Sequence, residues 1–84
     1  MTDFENLKNS YVSAIQYGLI ARANYHEARR GNELLHQFCE HLVDNSNYGE
    51  ADKVAMKQEL ELIKEALAKE IDYHYKQGVF ICLN

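Results

Sequence analysis

The sequence predicts an all-α fold: an antiparallel long-helix hairpin or a three-helix bundle, ending in a short extended apolar tail. Three observations predict it. The 84 residues include no proline, where average usage would give roughly four. Apolar residues recur at alternating steps of three and four, the spacing of one face of a helix. One stretch alone, "DNSNYGE" at 44–50, has the composition of a loop.

The first helix is expected from about residue 2 to 30. Thr2-Asp3-Phe4-Glu5 fits a capping box, in which hydroxyl and glutamate satisfy each other's free N–H groups. Phe4, Leu7, Tyr11, Ala14, Gly18, Ala21, Tyr25 and Ala28 then follow the three-four rhythm. At "RRGNE" two arginines suit a helix C-terminus, Gly31 the residue after it, and Asn32 the next N-cap. The rhythm nevertheless runs on through Ala28, Asn32, Leu35, Cys39 and Leu42. The punctuation favours a kink or break at Gly31; the rhythm favours one continuous helix. In either case residues 33–43 are helical.

Residues 44–49 form the predicted turn, with Asn47 and Glu50 as a possible cap pair. The last helix is expected over about 50–77, striped by Met56, Leu60, Ile63, Leu67 and Ile71 and ended by Gly78. The tail, 78–84, reads as short, extended and apolar. The whole is a single helical domain, residues 1–84.

Composition excludes several classes. The formal charge of −4, from 13 acidic and 9 basic residues, offers no basic face for nucleic acid. No run approaches the roughly 18 apolar residues of a membrane span. The start "MTDFENLKNS" lacks the basic and apolar regions of a signal peptide. Two cysteines, Cys39 and Cys82, form neither a C-x-x-C pair nor a disulfide framework. The expected compartment is the cytoplasm.

Chemistry is sparse. Glu33-x-x-His36 has the spacing that carboxylate-bridged di-iron bundles use, with Cys39, Glu40 and His41 close behind. Such a centre needs about four carboxylates and two histidines converging from facing helices. The last helix offers Glu70-x-x-x-His74 instead. Taking Leu34, Leu35, Phe38 and Leu42 as the inward side places Glu33, His36, Gln37 and Glu40 in water, with Cys39 as a small core residue. The expectation is therefore no metal and no cofactor, unless a homodimer doubles the ligands. The serines lack a G-x-S-x-G context, and Cys39 and its neighbours on one helix do not build an oriented nucleophile and base. No Gly-rich phosphate loop is present. No enzyme is expected.

The clearest functional hint is "AIQYGLIARA" at 14–23. Placed on an α-helix, its apolar residues cover nearly the whole circumference, which means burial on more than one side. Either the second helical segment and the tail fold back over it, or a second chain covers it. A first helix continuing to 43 would leave residues 4–17 beside the tail alone, which favours the second chain. The six tyrosines, with no tryptophan, suit an interface as well as snorkelling side chains. The expected interface is Tyr11, Ile15, Tyr17, Gly18, Leu19, Ile20, Val79 and Phe80.

In outline the chain resembles small helical secretion co-chaperones, and small helical phage proteins that block a bacterial complex; no motif carries either resemblance. The expected function is a non-enzymatic protein-binding module that forms a homodimer, with a protein partner and no nucleic acid or membrane. An inhibitor or regulator occupying the surface of a larger bacterial complex is the leading version. A client-shielding co-chaperone and a ferritin-like metal-binding bundle are the alternatives.

Overall fold

The computed structural model describes residues 3–76. Within them the chain is three α-helices and no strand: α1, Asp3–Ser13; α2, Tyr25–Asp44; and α3, Glu50–Lys76. α1 runs directly into a π-helical stretch, Ala14–Ile20, and the two together form an N-terminal arm. At about 1.5 Å per residue α3 is about 40 Å long, close to the 45 Å length of the whole molecule. The bundle is therefore one helix long, with the helices packed side by side in a cross-section of 18 × 17 Å.

Cross-contacts set the topology. Arg29–Asp72, Glu33–Lys64, His36–Glu61 and Asp44–Lys57 pair α2 with α3 in antiparallel order. Lys8–Glu59 and Gln16–Glu70 pair the arm with α3 in parallel order. The result is an up-down-up three-helix bundle, one of the two architectures the sequence predicts.

The first turn of the chain direction is not at Gly31. It lies at residues 21–24, where the Leu19 carbonyl accepts the N–H groups of Arg22 and Ala23 and closes the arm. Asn24 then caps α2: its backbone is extended, and its side-chain oxygen accepts from the Glu27 N–H at 2.8 Å. Asn24-Tyr25-His26-Glu27 has the spacing of an N-terminal cap with an acid at N3. The expected helices 2–30 and 33–43 are thus replaced by an arm ending at Ile20 and a helix beginning at Tyr25.

Gly31 and Asn32 serve other purposes. Gly31 lies inside α2, and a Cβ there would fall on the Leu19 side chain. Glycine admits the arm at that point. Asn32 is buried, not a cap. Its side-chain oxygen accepts from the Tyr11 hydroxyl, and its Nδ2 donates to the Lys64 carbonyl at 3.0 Å. One asparagine therefore joins all three helices. Burial, with Cys39 and Glu61 nearby, raises the Tyr11 hydroxyl well above the ordinary phenol range, so it remains a donor.

The π geometry explains the apolar girdle. On an α-helix, Ile15 and Ile20 would point about 140° apart. With i→i+5 hydrogen bonding the turn is wider and residues five apart draw onto one side, and both isoleucines are buried. Tyr17 and Gly18 are turned outward. Folding back at 21–24 lets α2 and α3 cover Phe4, Tyr11 and Ile15. The premise that placed a second chain there, a first helix continuing to 43, does not hold.

On α3 the expected stripe holds: Leu60, Leu67 and Ile71 are buried, with Met56 and Ile63 packed against them. α2 ends at Asp44, one residue beyond the expected 43. Asn45 and Ser46 satisfy its last carbonyls, and the Gly49 carbonyl accepts the Lys53 N–H at the start of α3. Thr2, Gly78 and the tail with Val79 and Phe80 lie outside the described residues.

Candidate docking surface and the His36 cluster

The side of α2 that faces the core differs from the expected one. Ala28, Asn32, His36, Cys39 and Val43 are buried. Leu34, Phe38 and Leu42 are 53%, 56% and 41% exposed. α2 lies between two neighbours. α3 takes the side of Glu33 and His36, and the arm packs across Gly31 and Asn32. The most apolar stripe is left over. His36 is accordingly a core residue, not part of a solvated face. Cys39 is buried as expected, and that burial raises its thiol above the ordinary range.

Leu34, Phe38 and Leu42 are spaced i, i+4 and i+8, so they stand one above the other over about 12 Å of helix. Leu42 also lines a groove of about 530 Å³ at the end of the bundle, with Phe4, Leu7, Val43 and Tyr48. Leu42 is common to strip and groove, and Asp3, Ser46 and Asn47 add a polar edge to the groove. Covering the half-exposed strip is worth on the order of 3–5 kcal/mol.

The expected interface residues separate. Tyr11, Ile15 and Ile20 are buried within the chain and Leu19 is half-buried. Tyr17, 74% exposed, and Gly18, with open space where a Cβ would stand, remain on the surface. Tyr73 and Tyr75 are also exposed. Tyr25 is engaged: it packs on Tyr75 and donates to Asp72 at 2.7 Å. That bond, with Arg29 beside it, holds the Asp72 carboxyl below its ordinary range.

The candidate metal ligands also separate. Glu33 pairs with Lys64, not His36. Glu70 accepts from Gln16, and His41 contacts Asn45. Cys39 lies outside the cluster of converging donors. What does converge is His36, Glu40 and Glu61, whose donor atoms lie within 4.8 Å of one another. His36 Nε2 is 3.2 Å from Glu61 Oε2 and 3.7 Å from Glu40 Oε2. His36 and Glu40 are i, i+4 neighbours on α2; Glu61 comes from α3.

Comparison with protein-family models, curated proteins and solved structures gives no match. No helix among the described residues is long and apolar enough to cross a membrane.

Proposed function

We propose that the chain is a non-enzymatic protein-binding module, and that it docks through Leu34, Phe38, Leu42 and the groove they lead into. The exposure of these three large side chains along one helix carries the reading. Contiguous apolar surface of this kind marks interaction sites, and the opposite face of α2 is already filled by this chain's own core. A row at i, i+4 and i+8 suits an apolar helix laid alongside, the helix-in-groove mode of recognition. A second copy could supply that helix, as could a larger assembly whose surface the module occupies as an inhibitor or regulator. The buried free thiol of Cys39 suits a reducing compartment such as the cytoplasm.

The test compares the wild type with Phe38→Asp. Phe38 is exposed, so helicity by circular dichroism is expected to be unchanged. Sedimentation and affinity capture from the native host are expected to show an assembly, with itself or with another protein, that the variant loses. A monomeric wild type that captures nothing the variant does not also capture overturns the proposal.

A further inference from the structure

We propose that His36, Glu40 and Glu61 bind a single divalent transition-metal ion of the zinc type, pinning α2 to α3. The inference starts from an anomaly. The His36 side chain is only 6% exposed, and its Nε2 is buried without a hydrogen-bond partner. Glu61 is near enough for an ion pair, yet the Nε2 makes no aligned hydrogen bond with it. Buried polar atoms are almost always satisfied. This one is aimed between two carboxylates.

The spacing suits an ion. Donors about 2.0–2.2 Å from a tetrahedral metal stand about 3.3–3.6 Å from one another around it. His36 Nε2 already lies 3.2 and 3.7 Å from the two carboxylate oxygens. The glutamate side chains are about half and a third exposed, so they are free to turn the remaining distance, and an ion has a path in. Lys64 stands 3.9 Å from Glu61 Oε1, which leaves Oε2 facing the histidine. A lysine in that position orients the ligand, as outer partners in metal sites do.

The donor set names the class of ion. One imidazole and two carboxylates suit borderline first-row divalent ions, with Zn²⁺ as the probe of choice. Ca²⁺ and Mg²⁺ prefer all-oxygen sites. Two carboxylates balance the charge of the ion. Three protein ligands leave at least one position to water. The bridge joins two helices of a small domain, where a metal adds stability that a limited core does not supply.

The experiment uses the full chain, stripped of metal with a chelator and titrated with Zn²⁺ alone by calorimetry. One ion per chain is expected, with a rise in thermal midpoint on zinc addition. Glu61→Gln and Glu40→Gln keep size and helicity while removing a charged donor. Loss of an outer partner in metal sites costs about 10–100-fold in affinity, and loss of a ligand here is expected to cost at least as much. Glu65→Gln, exposed and outside the cluster, is expected to bind as the wild type does. In the unaltered chain, NMR of the four histidine rings is expected to show His36 shifting first. No saturable uptake, equal affinity in the Glu61 and Glu40 variants, or a first shift at another histidine would each overturn the site.

Discussion

The α2–α3 pair and the N-terminal arm bury their apolar residues by different helical geometry. α2 and α3 are regular helices, held in antiparallel register by charged pairs along their length. The arm begins as an α-helix and widens into a π-helix at Ala14. That change brings Ile15 and Ile20 to one face, where an α-helix would set them about 140° apart. Pattern reading assumes a constant 3.6-residue turn. It worked on α3, where the assumption holds. In the arm it produced an apolar girdle to be covered either by the chain folding back or, the favoured reading, by a second chain. The lesson is that an all-round apolar stretch can record a change of helix type.

The comparison can be broken most sharply by truncating one core residue in each region. Leu60 and Ile15 are both fully buried. Leu60→Ala is expected to cost about 2–5 kcal/mol in urea unfolding. If the arm belongs to the same cooperative core, Ile15→Ala costs a similar amount, with coincident transitions by circular dichroism and tyrosine fluorescence. A much smaller cost, or two separated transitions, would make the arm an independently detaching segment.

A smaller effect probes the joint between the regions. Tyr11→Phe removes the hydroxyl that donates to Asn32 and leaves a buried amide oxygen without that donor. The expected loss is about 1–3 kcal/mol, read from the same unfolding curves. A loss near zero would mean that packing alone docks the arm.

The smallest effects come from two glycines. Gly18 faces open space in the π-helical stretch, so Gly18→Ala is expected to raise stability by about 0.5–1 kcal/mol. Gly31→Ala gains the same helix propensity but must displace the Leu19 side chain. It is expected to fall below Gly18→Ala in thermal unfolding. Equal gains at both sites would show that the arm does not press on Gly31 in solution.

Much of the fold was legible in particular residues. The proline-free helical composition, the turn after Asp44 and the Leu60–Leu67–Ile71 stripe stand as the sequence predicts. The break was legible too, but in another place. Asn24 and Glu27 carry the cap signal that is used, an amide at the N-cap with an acid three residues on, although the apolar rhythm of Ala21, Tyr25 and Ala28 runs through them as it does through Gly31 and Asn32. The exposed strip was not legible. Leu34, Phe38 and Leu42 are the most apolar side of α2, and hydrophobicity alone assigns them to the core. The three-residue cluster was visible only as fragments: His36 and Glu40 share a helix, whereas Glu61 lies on α3 and joins them only through the register of α2 and α3.

By itself, the sequence determined what depends on near neighbours along the chain: helix formation, the composition of the loop, the stripe of a helix with regular spacing. These follow from backbone propensity and from periodicity within a few turns. The tertiary structure decided which side of α2 faces inward. A helix between two neighbours is oriented by what each neighbour can satisfy, and here that is Tyr11 and Lys64 bonding Asn32, with Leu19 crossing Gly31. Those partners stand 12 to 32 residues away in the chain, and no local pattern encodes that distance.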